Sequence, residues 1–103
     1  MNENYPDAND KKLIQAFALL KNEKEIQNFL RDLLTLPEIK EASKRFYIAS
    51  LLWNKNLTYK QIASRAKTST ATVTRVADWQ FKKGLNGYQI ILQRLNPEQS
   101  QRA

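Results

Sequence analysis

The stretch from Thr35 to Trp53 constrains the fold of this chain more than any other. Its apolar residues recur every three or four positions, which places them on one face of an α-helix. They are Ile39, Ala42, Phe46, Ala49 and Trp53, and a second stripe contains Ile48, Leu51 and Leu52. A helix that is apolar over so wide an arc is buried on more than one side. In a chain of 103 residues, this pattern indicates a subunit interface along the helix.

Polar residues at the expected helix starts sharpen this prediction. Thr35 and Glu38 have the spacing of a capping box, in which each side chain accepts a hydrogen bond from the backbone N–H of the other residue. Thr58 and Gln61 repeat the pattern, and Ser69 is suited to cap a further helix. The helices predicted from these signals cover about residues 37–54, 59–66 and 70–82.

The remaining helices are predicted from apolar spacing and from the breaks in it. Asn9 or Asp10 is expected to cap a first helix, and Asn86 or Gly87 to begin a last helix that Pro97 closes. Between them lies a second helix with Ile26, Phe29, Leu30, Leu33 and Leu34 on one face. Because the chain has only two glycines and three prolines, we predict an all-α fold of six helices. The predicted organisation is a flexible polar arm at 1–8, a domain at 9–96 and a tail at 97–103.

Positive charge is concentrated in the second half of the chain. The formal net charge is +7, and residues 58–95 contain seven lysines and arginines but one acid, Asp78. Such a field attracts phosphate polymers and speeds their encounter with the protein. A basic surface that serves solubility alone is the other interpretation of this charge.

The sequence contains no histidine and no cysteine. Disulfides, thiolate metal sites and the commonest proton-transfer and zinc-ligand side chains are therefore absent. We expect neither an enzyme nor a metal or cofactor. No apolar run approaches the roughly 20 residues of a membrane span. The polar, acidic N-terminus is also unlike a signal peptide, so we expect a cytoplasmic protein.

The residues from 58 to 80 have the pattern of a helix-turn-helix motif. Two short helices joined by a tight turn cross steeply, and the small Ala63 suits the crossing point. Val73 and Val76 are spaced to pack the second helix onto the first. Lys67 stands at the turn position that glycine often occupies. It must therefore adopt a strained backbone conformation or a different turn.

The exposed side chains around this motif suit double-stranded DNA. Small hydroxyl residues at the start of a helix can approach base edges in the major groove closely. The predicted base-reading residues are Ser69, Thr70, Thr72 and Arg75, and the predicted phosphate contacts are Lys60, Arg65, Lys67, Lys82 and Lys83. A helical hairpin whose polar residues are merely solvated remains the alternative.

Three segments carry a resemblance to a known family: LPEIKEASKRFYIASLLWNKNLTYKQIA, STATVTRV and the NGY at 86–88. Over about residues 10–95 the chain resembles the Trp repressor superfamily, and within it the YerC/YecD branch. The resemblance implies an intertwined all-α homodimer, in which the first three helices and the last interlace with those of the partner. It also implies that the recognition helix runs from Ser69 to about Phe81.

The resemblance also bears on a small-molecule effector. Trp repressors hold the indole of L-tryptophan between two arginines, which match Arg45 and Arg75, and a threonine matching Thr35 completes part of the pocket. Those proteins have glycine directly after the second arginine, where this chain has Val76, whose isopropyl group would obstruct the ligand. An amino-acid effector such as L-tryptophan is therefore disfavoured. In the alternative, Arg75 contacts DNA and Arg45 is a solvated charge or forms a salt bridge between subunits.

These observations favour a sequence-specific DNA-binding transcriptional regulator. As a homodimer it would recognise two half-sites roughly 34 Å apart, one turn of DNA. One alternative is a helical protein-interaction module, antitoxin-like or part of an assembly, with only non-specific DNA affinity. Another is a transposase-derived DNA-binding fragment, which would share the fold without the regulatory role.

Overall fold

The computed structural model describes residues 4–54 and 56–98 of the chain. These residues form six α-helices and one π-helical turn, and no strand. The helices are α1 (Ala8–Leu19), α2 (Glu23–Leu33), α3 (Leu36–Trp53), α4 (Tyr59–Ala66), α5 (Thr70–Asp78) and α6 (Gly87–Leu95), with the π turn (Trp79–Lys83) between α5 and α6. The predicted six-helix, all-α fold is confirmed. Within the described part of the chain, no helix is long and apolar enough to cross a membrane.

The chain divides into two compact units, Met1–Ile39 and Lys40–Ala103, and the boundary falls within α3. In the first unit, Asp7 caps α1: its Oδ1 accepts from the backbone N–H of Asp10 at 2.8 Å, and Asp10 Oδ2 accepts from that of Asp7 at 2.9 Å. The prediction that Asn9 or Asp10 caps this helix was wrong. Asp10 is the inner partner of a reciprocal pair that satisfies two free N–H groups at once, so the helix starts earlier than predicted.

The α1 and α2 helices bury little of their apolar surface. Phe17 and Phe29 meet edge to face, with ring centroids 5.1 Å apart, and Asn22 caps α2 by accepting from the N–H of Glu25 at 2.9 Å. Every residue of these two helices is described, and none is buried. Large apolar side chains on them, among them Leu13, Ile14, Ile26 and Leu33, are exposed.

The predicted capping box at the start of α3 is present. Glu38 Oε1 accepts from the backbone N–H of Thr35 at 2.9 Å, and Thr35 Oγ1 accepts from the N–H of Glu38 at 3.3 Å. The Thr35 hydroxyl also donates to Glu38 Oε1, at 3.0 Å. The bonds from the backbone N–H and the hydroxyl of Thr35 favour the charged carboxylate, so they lower the pKa of Glu38. The long helix therefore starts at Leu36, within one residue of the predicted position.

The second unit is built around a continuous apolar core. Ile48, Ala49, Leu52 and Trp53 from the end of α3 are buried in it. They pack with residues of the helix-turn-helix and of α6, namely Ile62, Ala63, Ala66, Val73, Val76, Ala77 and Leu92. Burying each large aliphatic side chain stabilises the fold by about 1.5–3 kcal/mol. This core holds α4 and α5 against the end of α3.

The end of the recognition helix differs from the prediction. The α-helical hydrogen bonding was expected to continue to about residue 82, but α5 ends at Asp78 and widens into the π turn. At Gly84, where this turn ends, an added Cβ would collide with the carbonyl oxygen of Trp79. Glycine is therefore required at position 84. Asn86 then enters α6 with a left-handed backbone, φ 68°.

Candidate nucleic-acid interface

The first helix of the motif has the predicted bounds and cap. Thr58 Oγ1 accepts from the N–H of Gln61 at 3.1 Å, and Gln61 Oε1 accepts from that of Thr58 at 2.9 Å. The helix α4 runs from Tyr59 to Ala66, as the capping signal predicted. The start of α4 is therefore determined by a local interaction between Thr58 and Gln61, which the sequence alone predicts.

The turn between the two helices is sharp and contains no glycine. Lys67 adopts the left-handed conformation, with φ 56° and ψ 52°. Its N–H donates to the Ser64 carbonyl at 3.2 Å, and the Thr68 N–H donates to the Ala63 carbonyl at 2.9 Å. This pair of bonds is the Schellman motif, which closes the end of a helix. Of the two predicted outcomes for Lys67, the strained backbone is the one found.

The two helices pack where the apolar pattern predicted. Ala63 is 5% exposed, and Val73 and Val76 of α5 are buried in the same core. A side chain larger than that of alanine has little space at position 63, because interiors are close-packed. The two helices of the motif are thus held together by buried apolar side chains, and most of their polar side chains are exposed to solvent.

The hydroxyl residues at the start of α5 differ in what they already bind. Ser69 Oγ caps the helix by accepting from the N–H of Thr72 at 3.2 Å, and it lies 3.1 Å from Thr72 Oγ1. Thr70 and Arg75 are exposed, whereas Thr72 is half-buried. A hydroxyl both donates and accepts, so the cap leaves Ser69 and Thr72 with capacity for another partner. Base reading by all four residues stays a prediction.

The five basic residues assigned to phosphate are all exposed, and they lie before the start of α5 and after its end. Lys60 and Arg65 lie on α4, and Lys67 lies in the turn. Lys82 and Lys83 lie on the π turn, where Lys83 Nζ is 3.9 Å from Asp78 Oδ2. Such surface pairs contribute little free energy, so Lys83 remains available to a phosphate. The assignment of these five residues to phosphate also stays a prediction.

A cleft of about 500 Å³ lies beside α5 in the second unit. It brings together Arg45, Arg75 and Val76, which the resemblance assigned to an effector pocket. The described residues that line it are Glu41, Arg45, Thr72, Arg75, Val76, Trp79 and Tyr88. Thr35 is not among these residues, and its hydroxyl is engaged in the cap of α3.

The charges and rings of the cleft define its chemistry. Arg45 Nε is 3.7 Å from Glu41 Oε2 one helical turn away, and both side chains are more than half exposed. Burial raises the pKa of Tyr88, while the nearby positive charge of Arg45 opposes that shift. Val76 is only 6% exposed, because its isopropyl group belongs to the core. The described residues contain no group of acidic side chains that could hold a metal ion.

Three residues of this region, Gln80, Trp79 and Tyr88, were not predicted from the sequence as site residues. Gln80 is a buried polar residue, 2% exposed, and a signal for it was present. The buried positions of this segment are Val73, Val76, Ala77 and Gln80, the spacing of one helix face, so a polar residue interrupts an apolar stripe. Trp79 of the π turn and Tyr88 of α6 both line the cleft. No local sequence pattern predicts that these two side chains lie near each other.

Comparison with known proteins agrees with this architecture. The sequence model of the family described as Trp repressor protein matches residues 8–96. A TrpR-like protein from Eubacterium eligens ATCC 27750 superposes with a TM-score of 0.81 at 34% identity, over 92% of this chain and 96% of that one. A structure described as a putative Trp repressor from Staphylococcus aureus gives 0.79 at 33% identity, over 91% and 92%. The comparison with curated proteins gives no match.

The family match extends from the first residue of α1 to just past α6. The two solved structures share the fold over nearly their whole length, at identities above 30%. The helix-turn-helix and its basic flanks lie inside the matched region. This chain belongs to the Trp repressor family, a family of DNA-binding regulators.

Proposed function

We propose that this protein is a sequence-specific, double-stranded DNA-binding transcriptional regulator, repressor-like in its fold. The observation that supports this best is the division of α5 into two faces. Val73 and Val76 are buried in the core, while Thr70 and Arg75 face outward. A helix held in this way can enter a major groove without loss of its packing. We further propose that the chain belongs to the YerC/YecD branch. We also propose that it acts in the cytoplasm, where it would bind DNA.

The side chains divide into two roles in this proposal. Ser69, Thr70, Thr72 and Arg75 read base edges, because they lie at the start and on the outer face of the recognition helix. The lysines and arginine on either side hold the phosphate backbone and fix the register of the protein on the duplex. Free backbone N–H groups at the start of α5 add to the attraction for phosphate.

The proposed active form is an intertwined homodimer. Two observations support it: α1 and α2 contain no buried residue, and several of their large apolar side chains are exposed in the single chain. A second copy offers the same apolar surface and would bury both. A homodimer also presents two recognition helices, as a site of two related half-sites requires.

A selection of bound sequences from a pool of random duplexes tests the proposal. We expect recovery of a short motif in two related halves, with centres about one helical turn apart. Recovery of unrelated sequences that bind equally well would refute sequence-specific regulation. It would favour the helical protein-interaction module, whose basic face binds DNA without preference.

A further inference from the structure

We infer that Gln80 is a positioning residue for DNA recognition, which fixes the orientation of α5 against α3 and α6 without touching DNA. This inference rests on the proposed DNA-binding function and deepens it. Gln80 lies on the buried side of the segment that continues the recognition helix, so a duplex on the outer face of α5 is out of its reach.

Gln80 joins three elements of the second unit. Its side-chain Nε2 donates to the carbonyl oxygen of Ala49 in α3 at 3.0 Å, across 31 positions of the chain. Its backbone carbonyl oxygen accepts from Nε2 of Gln89 in α6 at 2.6 Å. Gln80 donates the first bond and accepts the second, and it lies in the π turn that continues the recognition helix. The two bonds set the rotation of that segment and its position relative to the helices on which it packs.

The amide group at position 80 is unusual for its surroundings. Among residues 4–54 and 56–98, Gln80 is the one buried polar or charged residue, and its Oε1 has no hydrogen-bond partner among them. A leucine or methionine would fill a similar volume without this unsatisfied group, whose burial is unfavourable. Hydrogen bonds are directional, whereas apolar contacts are not. The amide therefore contributes a defined geometry rather than extra stability.

The π turn connects this geometry to the DNA-binding surface. Gln80 is its second residue, and Lys82 and Lys83 at its end are the proposed phosphate contacts. A π turn changes the phase of the helix that leads into it, so the bonds made by Gln80 fix the lysines as well as α5. Base-reading and phosphate-binding groups then approach the duplex in one register. Loss of the side-chain bond to Ala49 should relax that register without removing any DNA-contacting side chain.

The test compares three full-length variants with the unmodified protein. Gln80→Leu removes the side-chain bond to Ala49, Gln80→Met keeps an unbranched chain of similar length without it, and Gln93→Leu is the matched control on an exposed position of α6. Each protein is titrated with a duplex obtained by selection and with an unrelated duplex of equal length. The ratio of the two affinities and the melting temperature are recorded together.

We expect both Gln80 variants to lose roughly fivefold or more of the affinity ratio, comparable to the loss of one base contact. Affinity for the unrelated duplex should change by less than about twofold, because the phosphate contacts remain. The melting temperature should stay close to that of the Gln93→Leu control. A lowered melting temperature with an unchanged ratio would show that Gln80 is merely structural and would overturn the inference.

A measurement on the unmodified protein applies even if the variants fold poorly. The side-chain amide protons of Gln80 should exchange with solvent much more slowly than those of exposed Gln93, because they are bonded and buried. Equal exchange rates would overturn the inference. If the unmodified protein prefers no duplex, the proposed function fails and this inference fails with it. A preference that Gln80→Leu retains refutes the inference alone.

Discussion

The two units of this chain differ in where their apolar side chains lie. In the first unit, α1 and α2 have no buried residue, and Leu13, Ile14, Ile26 and Leu33 are exposed. In the second unit, apolar residues of α3 to α6 enclose Trp53 in a continuous core. The helix-turn-helix is therefore stabilised by a core within its own unit, whereas the first two helices present an exposed apolar surface.

The first unit illustrates what local interactions alone can do. Capping side chains start α1 and α2, and an aromatic pair joins them. Helices of 12 and 11 residues are marginal in water without tertiary packing. Caps thus define where these helices begin, but burial of the exposed apolar faces must supply most of their stability.

The largest predicted effect follows from covering that surface with a second copy. Replacing Ile26 with Asp should abolish dimerisation, because it removes an apolar side chain from each copy and adds two charges to the interface. At about 1.5–3 kcal/mol for each side chain, the loss is at least roughly 3 kcal/mol for each dimer. Analytical ultracentrifugation and thermal unfolding at several protein concentrations measure it.

Gln27→Asp is the matched control, since it introduces the same residue at a polar, exposed position of the same helix. It should leave the dimer intact. The unmodified protein should melt at a higher temperature as its concentration rises, because folding and association are linked. A monomer whose melting temperature is independent of concentration would contradict this prediction. It would show that the exposed apolar surface of the first unit is not covered by a second copy.

The next effect concerns the outer face of the second unit. Thr70→Ala should relax specificity at one or two base pairs by roughly 1–3 kcal/mol, as expected for a direct contact. Its melting temperature should hardly change, since Thr70 is exposed. Thr72→Ala is a less clean probe than the sequence suggested, because its hydroxyl lies 3.1 Å from that of Ser69.

Quantitative binding to a set of single-base variants of the selected duplex measures this effect. Ser64→Ala serves as the control, because it removes an exposed hydroxyl from α4 rather than from the recognition helix. A uniform loss of affinity across the set would assign Thr70 to the phosphate backbone. A large fall in melting temperature would make it a structural residue.

A smaller effect is expected for phosphate contacts. Replacing Lys82 and Lys83 together with Ala removes two proposed phosphate contacts from each copy. The slope of log affinity against log salt should become shallower by up to about 3.6 for the dimer, roughly 0.9 for each lost contact. Sequence preference should be unchanged. Lys11 and Lys12 of α1 provide a double replacement of equal charge outside the motif. An equal change of slope in both variants would mean that net charge, not the location of the lysines, determines binding.

How far the sequence could predict these two regions depends on the range of each interaction. The starts of α3, α4 and α5 were predicted within a residue because their capping groups lie three positions apart in the chain. For α1, three neighbouring residues were able to cap, and only the reciprocal bond between Asp7 and Asp10 decides among them. The start of a helix can be predicted from sequence when only one nearby residue is able to cap it.

The parts that were missed depend on contacts between distant residues. The π turn combines a glycine at 84 with the bond from Gln80 to Ala49, 31 positions away. The cleft combines α3, α5, the π turn and α6. Apolar spacing shows which face of a helix is buried, but it does not show which residue of another helix meets it. The arginines of the cleft were predicted from the family resemblance, whereas its aromatic walls were not.

A modest effect of pH is expected at the start of α3. The cap holds the pKa of Glu38 below its usual value, so the folded state binds this proton less readily than the unfolded chain. The stabilising contribution is present above the unfolded pKa and is lost as the pH falls through the folded pKa. Glu38→Gln keeps an acceptor but no charge, and its melting temperature should converge with that of the unmodified protein in acid. A constant difference at every pH would exclude titration of Glu38 as the cause.

The smallest effect is expected from free L-tryptophan. Arg45 and Arg75 line the cleft, but Val76 and Trp79 line it too, and Val76 is fixed in the core. Overlap of a ligand with a packed valine costs about 1–3 kcal/mol, whereas an exposed stack on arginine offers about 0.5–1. Binding should be no tighter than about millimolar, and DNA affinity should not respond. Calorimetric titration measures the first quantity and repetition of the DNA titration with L-tryptophan the second.

Val76→Gly separates the steric argument from the charge argument. The variant should bind L-tryptophan more tightly than the unmodified protein, although the glycine lowers helix stability by about 1 kcal/mol and the lost core contacts lower it further. Val76→Ala, which keeps a Cβ, should fall between the two in both affinity and stability. If the unmodified protein binds L-tryptophan at micromolar concentration, the valine does not obstruct the cleft. The cleft would then link the second unit to an effector, and DNA binding would depend on more than the residues of the helix-turn-helix and its dimer.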